Sequence, residues 1–332
     1  MTTTSLPRRA LLGAACAALA LGALPAWAQG GYPNKPIRMI VPYAAGGSTD
    51  QLARAIQQSM SETLGQTVIV ENKPGAGGTI GTDYVAKAAP DGYTLVFGNT
   101  GPNAVVSLMR KVPYDELKDL RPISTVAITP MILAVPADSP AKTLKDFLAY
   151  AKKNGNALNV GSVGNGSLSH LTAEYFNEAA GLRMQHIPYN GGAPMMTAFA
   201  GGQLQAAFVT GLDGATLVSS GRVRYLAVGT PKATETVPGL QAIADEVPGF
   251  RSSAWFGVLA PKDTPEEIVT KLHDAIVTAV ARPEVRKMFS ARNVEARSST
   301  PQELEKLIRD EMGQWGPVVR KANIQMLSLI HI

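Results

Sequence analysis

The 332-residue chain reads as an α/β protein of two lobes, each a mostly parallel sheet flanked by helices. Three observations predict this. Short apolar, β-branched runs alternate with longer stretches whose apolar residues recur at helical spacing. Loops of glycine and small polar residues stand at the carboxyl ends of those runs in both halves, at the edge where an open parallel sheet holds its ligands. The length is also sufficient for two separate cores.

Residues 1–28 read as an export signal to be set aside from the fold. Arg8-Arg9 precede an apolar stretch from Ala10 to Leu24, Pro25 breaks it, and Ala26-Trp27-Ala28 has the small-x-small pattern of a signal peptidase site. The paired arginines and following leucines suit Sec or twin-arginine export, so a soluble periplasmic product cleaved near Ala28 is expected. Cys16, the only cysteine, leaves with the signal. The mature chain then has no disulfide, no thiolate nucleophile and no zinc–thiolate site. The net charge of +5 falls to +3 when Arg8 and Arg9 are removed. No Lys/Arg cluster stands behind it, which argues against a nucleic-acid partner. No later run approaches the roughly 20 apolar residues that span a bilayer. Leu327–Ile332 reads as a non-native tail.

Ile37, Met39, Ile40 and Val41 form a buried strand that runs into Tyr43-Ala44-Ala45-Gly46-Gly47-Ser48-Thr49-Asp50. Glycines there allow a sharp turn, Ser48 is an expected N-cap, and Asp50 stands where a carboxylate complements a helix dipole. Leu52, Ile56, Met60 and Leu64 mark one helix face, and Gly65 stops it. Thr67–Val70 is a second strand. It leads through Glu71-Asn72-Lys73-Pro74-Gly75-Ala76-Gly77-Gly78 to a helix with Ile80, Tyr84, Val85 and Ala88 on its inner side. Tyr93–Phe97 is a third, ending in Gly98-Asn99-Thr100-Gly101-Pro102.

Strands near Ile123–Ile128 and Met131–Val135 open a second series. Thr143 caps a helix faced by Leu144, Phe147, Leu148 and Ala151. Asn159–Ser162 is a strand whose loop, Val163-Gly164-Asn165-Gly166, ends at Ser167, the cap of a helix that Gly181 closes. Met184–Pro188 is followed by Tyr189-Asn190-Gly191-Gly192-Ala193 and a helix from Pro194 to Gly201-Gly202. Leu204–Val209 opens onto Thr210-Gly211-Leu212-Asp213, and Arg224–Val228 follows. Trp255–Leu259 is one more buried strand, and helices begin at Thr264-Pro265-Glu266-Glu267 and Thr300-Pro301-Gln302-Glu303. These elements place the first lobe at 29–128 plus 232–326 and the second at 129–231.

Enzymatic motifs are weak. No G-x-S-x-G, G-x-x-x-x-G-K-[ST] or H-E-x-x-H occurs. Ile80 stands where a dinucleotide fingerprint needs its third glycine. His170 and Glu174 share a helix face but lack a third metal ligand, and His186 and His273 have no nameable partner. Ser167 with His170 has no orienting acid, so no catalytic residue, metal or cofactor is expected. The glycine loops are the stronger signal, because they repeat in both halves; Gly46-Gly47-Ser48, Gly164-Asn165-Gly166-Ser167 and Tyr189-Asn190-Gly191-Gly192 would converge on one cleft, and none of these three contains Lys or Arg. An anion held there would rest on backbone amides, hydroxyls and helix dipoles, at roughly 1.5–3 kcal/mol for each charge-assisted bond.

Tyr32-Pro33-x-Lys35-Pro36-Ile37, the Pro42–Asp50 loop and Glu71–Gly78 carry a specific resemblance. So do Ser162-x-Gly164-Asn165-Gly166-Ser167-x-x-His170-Leu171, Pro188-Tyr189-x-Gly191 and Gly221–Val228. Across residues 30 to 326 the chain resembles the Bug family, the periplasmic solute-binding proteins of tripartite tricarboxylate transporters. That resemblance implies a type II periplasmic-binding-protein-like fold, no catalysis, and delivery of a small organic carboxylate to the permease subunits of a membrane transporter, the receptor itself being a monomer. It also implies that Tyr43, Ala44, Gly46, Gly47, Ser48 and Asp50 grip one end of the ligand, with Asn99 nearby. Ser162, Gly164, Asn165, Gly166, Ser167 and His170 would hold a carboxylate, with Tyr189 and Gly191 beside them. Asp213 falls in the loop that varies with specificity, where it disfavours a second carboxylate or pairs with an ammonium. Asp50 reads either as helix-start electrostatics or as a ligand contact. Rival readings are a sensor docking on a signalling receptor and, more remotely, an exported hydrolase. Dicarboxylates, tricarboxylates, acidic amino acids and aromatic acids all stay open as ligands.

Overall fold

The structure is a computed structural model that describes residues 31–321 and residue 324. The export signal and the terminal tail lie outside the described residues, and the compact body begins at Lys35. It opens with β1 (Ile37–Val41), α1 (Ser48–Leu64), β2 (Val68–Asn72), α2 (Thr79–Ala86) and β3 (Thr94–Asn99). A π-helical turn at Gly101–Val105 runs into α3 (Val106–Met109), and the long β4 (Leu120–Pro130) follows. Next come β5 (Ile132–Pro136), α4 (Leu144–Asn154), β6 (Asn159–Ser162), α5 (Leu168–Ala180) and β7 (Gln185–Pro188). Then α6 (Gly192–Ala200), β8 (Ala206–Val209), α7 (Gly211–Ser219), β9 (Val223–Val228) and β10 (Gln241–Ala242) complete the second series. The chain ends with β11 (Ser253–Pro261), α8 (Glu266–Ala281), α9 (Pro283–Ser290), β12 (Glu295–Ala296) and α10 (Pro301–Lys321).

Two six-stranded sheets result, ordered β12-β4-β11-β3-β1-β2 and β10-β9-β5-β8-β6-β7. Each has a parallel trio built from successive β-α units, β2-β1-β3 in one and β7-β6-β8 in the other. Ile37, Met39, Ile40 and Val41 have no exposed surface, as expected of a parallel strand covered on both faces. The sheets are mixed, with four of the six strands in the first sheet and five of the six in the second running the same way. β11 runs antiparallel between β3 and β4, and β5 runs antiparallel between β8 and β9. The reason is connectivity: β5 and β11 each enter a sheet directly from a strand crossing, without the helical return that parallel pairing needs.

Those crossings join the lobes. Met131 alone separates β4 from β5. Its amide donates to Ser252 O (3.1 Å), the Gly229 amide donates to Met131 O (2.7 Å), and the Ser252 amide donates to Gly229 O (2.7 Å). This three-membered ring of backbone bonds ties together the outgoing and returning strands. Any Cβ at Gly229 would stand 3.0 Å from Met131 O and nearer still to Ser252 O, so only glycine fits. The β10–β9 pairing places residues 241–242 in the second sheet, so that sheet takes in chain beyond the return expected at 231.

Several local expectations need correction. Gly47, not Ser48, is the N-cap of α1, with extended φ −79° and ψ 173°, and Ser48 is its first helical residue. Ile80 and Tyr84 of α2 are exposed, because Val85 and the small residues Gly81 and Thr82 provide the buried side. α6 begins at Gly192, two residues before Pro194. At α8 the Thr264 hydroxyl donates to Pro261 O (2.7 Å) and leaves the cap to Pro265. The caps at Thr143 and Ser167 and the box between Thr300 and Glu303 form as read.

A cleft built from glycine loops of both lobes

The carboxyl-end loops of the two sheets meet face to face. The Ala44 amide in the β1–α1 loop donates to Asn190 O in the β7–α6 loop (3.2 Å). A Cβ on Gly47 would lie 3.1 Å from the Gly192 amide nitrogen, and one on Gly191 would lie 3.2 Å from that of Ala44. Further along, the Gly77 turn abuts the Asn165 carbonyl, with a Cβ there only 2.9 Å from its carbon. Main chain against main chain at this range excludes a side chain, which is the physical use of glycine here. Gly77 also needs its freedom conformationally, at φ +63°.

Behind this seam lies a cavity of about 50 Å³. One water needs roughly 10–15 Å³, so the space is that of a small molecule. The first lobe contributes Tyr43, Gly47, Ser48, Thr49, Asn99 and Thr100, and the crossings contribute Met131, Ala254 and Phe256. The second lobe supplies Val163, Leu168, Ser169, Gly192, Phe208, Thr210 and Asp213. The lining therefore mixes apolar side chains with hydroxyls, and among the described residues no Lys or Arg lines it. The first residues of α1 and of α5 both face it, so the positive ends of two helix dipoles favour an anion.

Tyr43 organises the first-lobe side. Its hydroxyl donates to Gly77 O (2.9 Å), and burial pushes its phenol well above the ordinary range, partly offset by Asn99. Asn99 donates to Thr49 Oγ1 (3.2 Å) and accepts from the Gly101 amide (3.1 Å). Arg110 props the same turn, donating to Ala76 O (2.7 Å) and Thr79 Oγ1 (3.0 Å).

The other residues singled out from the sequence stand around the cavity and not on it. Ala44 and Gly191 form the seam. The Gly46 amide donates to Asp50 Oδ2 (2.9 Å). Asp50 also accepts from Arg54 (3.0 Å) and Asn72 (2.9 Å). Burial raises its carboxyl, but these bonds outweigh that and leave it below the usual carboxylate range. Asp50 thus locks the loop and the start of α1. Ser167 caps α5, accepting from the His170 amide (3.3 Å) and donating to Gly164 O (2.6 Å). Its hydroxyl is not paired with the imidazole, so the nucleophile–base arrangement does not form. Asn165 is exposed, and Gly164 and Gly166 take left-handed φ values of +138° and +83° in the turn. Tyr189 packs on the core of the second lobe.

His186 does have a partner. It stacks on His170 with ring centroids 3.9 Å apart, and its Nε2 meets Ser162 Oγ at 2.5 Å. His170, Glu174 and His186 bring ligand-type atoms within 4.8 Å of one another. The geometry is nevertheless poor for a metal. The Gly166 amide donates to His170 Nδ1 (3.3 Å), which places the ring proton on Nε2, the atom 3.9 Å from Glu174. Planes only 18° apart also aim their lone pairs side by side and not at one point. Burial holds His170 down to about 4, and burial, with the neighbouring His170 ring opposing a second proton, holds His186 down to about 3. The pair is a neutral, packed support behind the 162–167 loop.

Sequence reasoning missed Thr49, Thr100, Ser169, Thr210 and the apolar side made by Met131, Val163, Leu168, Phe208, Ala254 and Phe256. Thr49, Thr100 and Ser169 sit one or two residues from named positions, and helical or strand alternation could have found them. The apolar residues come from five elements and carry no local signal.

Residues 52–324 match the family model for the tripartite tricarboxylate transporter family receptor. This chain belongs to that receptor family. A UPF0065 protein encoded in the gbd 5′ region of Cupriavidus necator is 39% identical over 288 residues, covering 86% of this chain and 88% of the relative. The structure of the periplasmic binding protein BugD superposes with a TM-score of 0.84 at 35% identity, covering 89% of this chain and 99% of BugD. MatC from Rhodopseudomonas palustris, solved with bound malate, gives 0.83 at 32% identity, covering 87% and 100%. The receptor's two-sheet architecture with helices on the sheet faces is therefore that of the periplasmic binding proteins. Among its described residues no helix is long and apolar enough to cross a membrane.

Proposed function

We propose that this receptor works in the periplasm, takes a small organic acid between two closing lobes and hands it to the membrane subunits of a tripartite tricarboxylate-type transporter. The observation that carries this reading is the seam. Glycine loops from separate lobes meet main chain to main chain over a cavity of small-molecule size, and the lobes connect through strand crossings that can act as a hinge. With no Lys or Arg in the lining among the described residues, the acid is held by hydroxyls, amides and the start of α5, the α1 start being met by Asp213. Three or four such bonds at roughly 1.5–3 kcal/mol each suffice for the ~8 kcal/mol of a micromolar complex. The bound malate of MatC supports a carboxylate as the ligand type. Binding rather than bond cleavage fits the receptor family to which the chain belongs.

Native mass spectrometry of the freshly purified mature protein, followed by calorimetry with the recovered compound, tests the reading. Recovery of an unchanged small acid that binds with a compacting lobe movement supports it. A chemically altered product, or no binding across carboxylates and their amides, overturns it.

A further inference from the structure

We infer that Trp315 of α10 is a stop behind the strand crossings: it limits how far the cleft opens and so positions the lobes for ligand without touching the ligand. This rests on the receptor reading above. α5 connects the cavity, the crossings and α10. At its start, Leu168 and Ser169 line the cavity. One turn on, the Thr172 hydroxyl donates to Leu168 O (2.8 Å) and meets Ser252 Oγ at 2.6 Å. Ser252 is the residue whose amide and carbonyl take part in the ring of bonds at the crossings, so α5 is fastened to the hinge there. Farther along, Tyr175 and Glu178 reach α10, which packs on β4 and α3 of the first lobe. The Trp315 ring meets that of Tyr175 edge-on with centroids 5.7 Å apart, and Lys321 Nζ lies 3.0 Å from Glu178 Oε1.

The fastening point thus lies between the two working ends of α5. Rotation of the lobes about it that carries the start of α5 away from the first lobe presses the far end toward α10. At about 1.5 Å per residue, Tyr175 stands ~4.5 Å and Glu178 ~9 Å past Thr172. A rigid-body rotation of about 15° then drives them roughly 1 and 2 Å into α10. Both rings are held against that movement. Trp315 has no exposed surface, and its Nε1 donates to Glu311 Oε2 (2.7 Å). Tyr175 stacks on Phe250 at 4.8 Å, and its hydroxyl donates to Gly249 O (3.1 Å). Phe250 packs in turn on Phe176 and Phe208 of the second lobe, so this aromatic block moves with that lobe and Trp315 with the other. Rings already in contact in a close-packed interior resist further approach. Wide opening is therefore penalised, while the closed form, in which seam and aromatic contact coexist, is not. The Lys321–Glu178 pair is largely exposed on the lysine side and adds little to this.

The test uses the mature protein, with malate, succinate, adipate and any acid recovered by native mass spectrometry as ligands. Trp315→Leu shortens the stop from one lobe and Tyr175→Leu from the other, so either variant decides the matter should the other fail to fold. Small-angle scattering is expected to show both more expanded than wild type without ligand and equal to it when saturated. Calorimetry is expected to show affinity lower by roughly tenfold, because a more open population must be closed before binding. Trp315→Phe keeps a ring and is expected to fall between. Leu304→Ala is the control for simple destabilisation: this α10 residue packs at Gly257 of β11 in the first sheet, so the melt should drop with affinity unchanged. Ligand-free dimensions equal to wild type, or affinity within about threefold of the Leu304→Ala control, overturn the stop while the receptor reading stands. If neither wild type nor any variant binds an acid, the receptor reading itself falls.

Discussion

Gly77→Ala separates closure from folding. Gly77 adopts φ +63°, and an alanine there would place its Cβ 2.9 Å from the Asn165 carbonyl carbon and 3.3 Å from the Ser167 nitrogen. Carbon–carbon contact needs roughly 3.5–4.0 Å, and the Asn165 oxygen stands nearer still, so the two loops must part by more than about 1 Å. That movement stretches the 3.2 Å bond from Ala44 to Asn190 O beyond useful range and weakens the 2.9 Å bond from Ser48 to Asp213. At about 1 kcal/mol for the neutral bond and about 1.5–3 for the charged one, the closed form loses about 2.5–4 kcal/mol. Ligand affinity should then fall by roughly 70- to 850-fold. Left-handed alanine adds strain of roughly 1–2 kcal/mol in open and closed forms alike, which lowers the melt but not the affinity. Gly65→Ala is the control. It has φ +66° with nothing within 4 Å of its Cβ, so it carries the strain without the collision. Calorimetry with the co-purifying ligand and small-angle scattering of the ligand-saturated proteins read the difference. If Gly77→Ala binds within about threefold of the Gly65→Ala control and compacts equally, the seam is not where closure occurs.

Three further outcomes are expected. Ser167→Ala removes the α5 cap and should cost about 1 kcal/mol in denaturant unfolding, since the hydroxyl serves the His170 amide and Gly164 O; no change would show that the cap is redundant. Asp50→Asn removes the charge and one of the two acceptor oxygens that Gly46, Arg54 and Asn72 share, and should cost about 1–3 kcal/mol at pH 7. Because the folded carboxyl lies below its unfolded value, wild type holds this advantage above the ordinary carboxylate range near pH 4 and loses it as pH falls through the folded value. Melts of the two proteins should therefore converge in acid, and a constant gap would refute the assignment. The histidine pair gives a second test, with the same sign but in a higher pH window. Both rings stay neutral when folded, at about 4 and about 3, while an unfolded histidine takes its proton near 6.5. The unfolded state thus binds more protons between roughly pH 6.5 and 4, and stability declines across that window as pH drops. His186→Gln, which can still meet Ser162, should flatten the decline between pH 7 and pH 5 in urea titrations; an unchanged slope would place the sensitive groups elsewhere.

How much of this was legible beforehand depended on whether the signal was local. The strand at Ile37–Val41, the stop at Gly65, the caps at Thr143 and Ser167 and the glycine loops are properties of a few consecutive residues. Each follows from burial period, hydroxyl capping or freedom at positive φ. The family resemblance rests on such local motifs too, and so does the prediction of two α/β lobes. The helix face at Ile80 and Tyr84 was misread because apolarity at helical spacing does not say which side is covered when glycine and threonine can pack as well. His186 looked solitary because its partner is a residue on another element.

The amino-acid sequence by itself determined that this chain would build β-α units with side-chain-free turns at the strand ends, since turn chemistry and hydrophobic period act between near neighbours. Tertiary structure alone decided the antiparallel entry of β5 and β11, the ring of bonds among Met131, Gly229 and Ser252, and the apolar half of the cavity. It also decided that Asp213 would reach across to Ser48, 165 positions earlier in the chain. These arise where the fold brings together segments far apart in the chain, and no short-range pattern encodes that distance.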